Sequence, residues 1–86
     1  MKALIIVDAQ YDFLPGGALE VPNGDLILEP LKKIRDMFHT VLFTQDWHPI
    51  DHCSFRQNGG LWPPHCVQNT HGAQIEKGII RPAVDR

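Results

Sequence analysis

Long apolar runs are missing from this 86-residue chain. No stretch approaches the roughly 18 continuous apolar residues of a membrane span, so no membrane partner is expected. Cysteine is scarce, with only Cys53 and Cys66 present. A dense disulfide framework is thereby excluded, and both thiols are expected to be free. Charge is modest at 21% of residues, and the formal net charge is -2, which gives no electrostatic reason to expect nucleic acid or an anionic surface as partner. There is no phosphate-cradling loop either, since the two Gly-Gly pairs lack the Lys-Ser/Thr that a P-loop needs. Repeats and low-complexity tracts are absent. The opening MKALIIVDAQ starts like a signal peptide, but its apolar run breaks at Asp8 and no small-residue cleavage site follows. It reads as a buried first strand, with the cytoplasm as the expected location.

What is present suits one small α/β domain covering residues 1–86. Ala3 to Val7 form a β-branched apolar run, the pattern of a strand covered on both faces in a parallel sheet. Polarity returns at Asp8, Gln10 and Asp12, where open α/β sheets place their ligands. Pro15, Gly16, Gly17, Pro22, Asn23 and Gly24 then mark a long ordered loop with a tight turn at Gly16-Gly17. Asp25 is the expected N-cap of a helix whose stripe is Ile27, Leu31, Ile34 and Phe38. Pro30 fits only in that helix's first turn, so the regular helix starts a residue or two late. Lys32, Lys33 and Arg35 form its wet face. A second strand is expected from Thr40 to Thr44, completing a right-handed βαβ unit.

From Pro49 to Gly72 the chain is rich in His, Pro, Gly and Asn, without a sustained period. Irregular stretches of this length in a small domain are commonly functional, and a bound ion would account for the order of this one. The tail from Ala73 carries Ile75, Ile79 and Ile80 but no readable pattern. Two strands and one helix do not make a free-standing layered domain. The expectation is therefore an incomplete fold, completed by further chain or by a partner.

The strongest chemical signal is Asp46, His48, His52 and His65. Asp46 and His48 are two apart after a strand, so both side chains point the same way in an extended continuation. A carboxylate and two imidazoles, with a third imidazole available, suit zinc, manganese or iron(II) and leave positions for water or substrate. Histidines that merely collect in a polar loop are the bland alternative. Asp8, at the end of the first strand, is the candidate acid/base, or else a cap on the following turn. Phe13, Trp47 and Trp62 are available to wall a pocket for a flat ring. For Trp47 a small core under the loop is the preferred reading. Neither cysteine sits at a strand-to-helix junction, where backbone N–H groups would activate it.

Three segments, IIVDAQYDFLPGGALEVPNGD, TQDWHPIDHCSF and WPPHCVQNTHGA, resemble the nicotinamidase/pyrazinamidase group of the isochorismatase-like hydrolases in order and spacing. The resemblance implies the N-terminal βαβ part of a three-layer parallel-sheet fold. It makes Asp8 the catalytic acid/base, Asp46, His48 and His65 metal ligands, and His52 a further ligand. It assigns Phe13 and Trp62 to the nicotinamide pocket. It implies hydrolysis of nicotinamide to nicotinate and ammonia in pyridine nucleotide metabolism, with one divalent ion, zinc before manganese or iron. Another small carboxamide, or a split metal-binding fragment inactive alone, are the competing readings. The family's catalytic cysteine lies far downstream, and its lysine falls at or just beyond Arg86. Lys77 begins a similar Lys-Gly pair but comes too early. The missing segment, or a complementary chain, is thus an expected partner, and a homo-oligomer is left open.

Overall fold

The structure is a computed structural model that describes residues 2–80. The place implied for the catalytic lysine lies outside these residues. Strand β1 spans Ala3–Ile6, helix α1 Leu28–Arg35 and strand β2 Thr40–Phe43. The strands pair in parallel, with Ala3 beside Thr40 and Ile6 beside Phe43. Leu4, Ile6, Val41 and Phe43 therefore share one face, and Ile6 and Val41 form the core there with Ala9 and Ile79. Leu28, Leu31 and Phe38 pack onto it from the helical side.

Three expectations are corrected. The sheet is covered on one face only: Ile5 is 58% exposed and Leu42 49% on the other, because a single helix cannot cover both. Asp25 caps nothing; it lies inside a 3-10 turn, Gly24–Ile27, that leads into α1, whose N-cap position is Ile27. The helix's inward stripe is rotated accordingly. Leu28 takes the core place expected of Ile27, and Ile34 is exposed. Pro30 does fall in the first turn of α1, where its missing N–H costs no helical bond. The Gly16-Gly17 turn forms with the Gly17 N–H donating to Leu14 O at 2.9 Å. A Cβ at Gly17 would collide with the Tyr11 and Asp12 backbone, so only glycine closes it this tightly.

The irregular half is ordered by isolated bridges. His48 pairs with Val67, Phe55 with Trp62 and Gln10 with Ile75. Arg35 Nη1 donates to Gly78 O at 2.9 Å, tying α1 to the chain's last described turn, and Ile79 is fully buried beneath the sheet. Among the described residues no helix is long and apolar enough to cross a membrane.

Candidate metal and acid/base site

Both strands end at the same edge, and the site is built from the residues just beyond those ends. Asp8 adopts a positive φ of 53°, tolerated by aspartate better than by most residues. Its N–H donates to Thr44 O at 3.2 Å and to Thr44 Oγ1 at 3.0 Å, and the Thr44 hydroxyl donates to Asp8 Oδ1 at 2.8 Å. Asp8 is thus fixed to the residue after β2 rather than capping its own turn. It lines an open groove of about 340 Å³ with Phe13, Leu14, Val21 and Ile27. Phe13 joins this groove to the histidines, its ring centroid lying 5.8 Å from that of His65.

Asp46, His48 and His65 each present one donor atom, and these atoms lie within 4.8 Å of one another. The Asp46 Oδ2 to His48 Nε2 separation is 3.6 Å. His65 is buried, and its Nδ1 hydrogen-bonds the Pro63 carbonyl at 2.8 Å. A carbonyl only accepts, so Nδ1 carries the proton and Nε2 keeps its lone pair for an ion. One carboxylate and two imidazoles at this spacing fit a divalent ion with open positions. His52 stands differently. Its ring lies tilted with its centroid 4.3 Å from that of His48, but its Nδ1 accepts the Ser54 N–H at 3.1 Å and meets Ser54 Oγ at 2.7 Å. That places the proton of a neutral ring on Nε2, the reverse of His65, and His52 is outside the converging group.

Phe55 is the residue that sequence reasoning passed over. It is fully buried, with ring centroids 5.7 Å from His48, 5.7 Å from His52 and 5.5 Å from His65. The small core under the loop is therefore Phe55, not Trp47, which is 47% exposed. Trp62 is 50% exposed; its backbone braces Phe55, and it is not among the residues lining the Phe13 groove. The bridges and Phe55 contribute to the order of this loop. Both cysteines are free, Cys53 exposed and Cys66 buried. Burial pushes the Cys66 thiol up to about 12, helped by the negative charges of Asp12, Asp46 and Asp8. Such a thiol is the opposite of an activated nucleophile. Lys77 sits exposed in a 3-10 turn, Lys77–Ile79, and its N–H donates to the Tyr11 hydroxyl at 3.0 Å.

A parallel βαβ unit, here with a carboxylate after β1 and an Asp-x-His pair after β2, gives the fold class: the arrangement is consistent with the N-terminal portion of the isochorismatase-like fold. Within that class the chain is a homologue of the nicotinamidase/pyrazinamidase family over most of its length. It is 36% identical to the nicotinamidase of Escherichia coli, across 96% of this chain and 48% of that protein. The zinc complex of Pyrococcus horikoshii pyrazinamidase is 53% identical, covering 85% of this chain and 43% of its own, at a TM-score of 0.75. PnC1 from L. infantum, solved with nicotinate, is 48% identical over 91% of this chain and 41% of its own, at a TM-score of 0.85. No protein-family model matches. The chain spans about half the length of the curated relatives it matches.

Proposed function

We propose that this chain carries the metal-binding and acid/base half of an amidohydrolase that converts nicotinamide to nicotinate and ammonia. The observation that carries the reading is the convergence of Asp46, His48 and His65, with Phe13 linking them to the groove that Asp8 lines. Likeness to a zinc-bound pyrazinamidase and to a nicotinate-bound relative supports the choice of ion and of substrate class. Asp46, His48 and His65 would hold a divalent ion, zinc first, which would supply Lewis acidity at the site. Phe13 offers an apolar face for a flat ring. Asp8, steadied by the Thr44 hydroxyl, passes a proton to the departing ammonia. Trp62 is proposed to act toward the substrate and His52 toward the ion, the first from outside the Phe13 groove and the second from outside the converging triad.

The thiolate that attacks the carboxamide carbon is neither Cys53 nor Cys66. It is supplied by a complementary segment, and the bare sheet face around Ile5 and Leu42 favours one that also covers this surface. The test is nicotinamide turnover by the purified 86-residue chain, with a panel of small carboxamides beside it. The chain alone should release no ammonia above a buffer blank. Turnover at rates typical of a complete enzyme would defeat the division of labour, and preference for another carboxamide would change the substrate.

A further inference from the structure

The stretch after β1 holds two side chains that the proposed chemistry does not use. Gln10 is fully buried. Its Oε1 accepts the Asp46 N–H at 2.9 Å, and its Nε2 donates to Asp46 O at 2.8 Å and to Ala73 O at 2.7 Å. Both amide protons are therefore used. A primary amide paired to the N–H and the C=O of one residue imitates a neighbouring strand, fixing that residue's backbone in place and in rotation. Asp12 reaches the other side of the cluster. Its Oδ2 accepts the Cys66 N–H at 2.7 Å, and its Oδ1 accepts the Ala18 N–H at 3.1 Å. Cys66 sits at φ 49°, a conformation that a residue with a side chain rarely adopts, and this charge-assisted bond helps hold it there. A Cβ at Gly72 would collide with the Asp12 carboxylate, which is thus packed from behind as well.

We propose that Gln10 and Asp12 are positioning residues that preset the ligands before an ion arrives, Gln10 acting on Asp46 and Asp12 on His65 through the next peptide. The proposal rests on Asp46, His48 and His65 being the ligands. Neither positioning residue touches the ion; each acts on the backbone of a ligand or of its neighbour. His48 belongs to the same frame, since its N–H donates to Cys66 O at 2.9 Å and its carbonyl accepts the Gln68 N–H at 2.8 Å. Cys66 is the shared point, bonded to Asp12 on its N–H and to His48 on its carbonyl. Losing such outer partners typically weakens metal affinity by about 10- to 100-fold.

The experiment titrates Co²⁺ into the full chain and into Gln10→Glu, Asp12→Asn and His48→Ala, reading affinity and the visible absorption bands of the bound ion. Gln10→Glu keeps an acceptor for the Asp46 N–H but loses both donors, and Asp12→Asn keeps one acceptor of two. The wild-type chain should bind one Co²⁺, the two positioning variants should bind about 10- to 100-fold more weakly with altered bands, and His48→Ala should not bind. Folded variants with wild-type affinity and bands would overturn the positioning roles alone. A wild-type chain that ignores Co²⁺ would overturn the ligand assignment and the proposal with it. Should the variants not fold, amide exchange in the metal-free wild type decides. The Asp46 and Cys66 amides should already be protected; protection that appears only with Zn²⁺ would contradict presetting.

Discussion

Residues 3–43 and residues 45–80 hold their shape by different means. The first segment relies on a backbone ladder and on apolar periodicity, with Val41 of β2 fully buried in the core. The second has no strand or α-helix among the described residues, yet Phe55, Cys66, Ala73 and Ile79 are all fully buried in it. Its peptide groups are satisfied one at a time, by bridges and by side chains sent from the first segment. Irregular chain is therefore no sign of weak structure here. What a sheet achieves by repetition, the loop achieves through specific partners, and a site can be placed on it because each ligand's backbone has its own anchor.

The largest test of that contrast is Phe55→Ala. Truncating a buried phenylalanine costs about 3–5 kcal/mol. In a small domain this should abolish most of the folded signal in urea unfolding. A benign Phe55→Ala beside a damaging Ile6→Ala would mean that only the first segment is truly packed. Next comes ion binding. Free Zn²⁺ at a hundredfold excess over its Kd stabilises the folded state by about 2.7 kcal/mol. The gain should vanish with a chelator and should appear in amide exchange at residues 45–73 before it appears in the strands. Uniform protection across both segments would dissolve the distinction.

Per pH unit, the pH dependence is a smaller effect. The Cys66 thiol is raised from 9.0 in an ordinary setting to about 12 in the fold. The unfolded chain therefore loses this proton first as pH rises, so its contribution is intact below pH 9 and is lost between pH 9 and 12. One proton corresponds to about 1.4 kcal/mol per pH unit. In the metal-free chain, unfolding measured over this window should show that slope, and Cys66→Ala should flatten it. Smallest of all is the bare sheet face. Leu42→Thr should change stability by less than about 0.5 kcal/mol, as exposed substitutions do. A much larger loss would mean that the face is covered in solution.

Both strands, the place of Pro30 in the first turn of α1 and the grouping of Asp46, His48 and His65 were legible in the sequence. The first two are local matters of residue type and period, while the triad came from the histidine spacing together with the family resemblance. His52 was not separable from the other histidines, because what turns its Nδ1 away from an ion is the Ser54 N–H, and no spacing encodes which ring nitrogen a peptide meets. Gln10 and Asp12 were visible only as polar residues after a strand. Their partners lie 36 and 54 positions away, and such pairings exist only once the loop has folded. Phe55 and Ile79 lie in aperiodic chain, where burial leaves no repeating mark.

Zinc K-edge absorption on the zinc-loaded chain reads directly which atoms hold the ion. Two imidazole nitrogens at about 2.0–2.1 Å, with oxygen completing the shell, are expected. A sulfur shell near about 2.3 Å, or a spectrum without imidazole scattering, would contradict this.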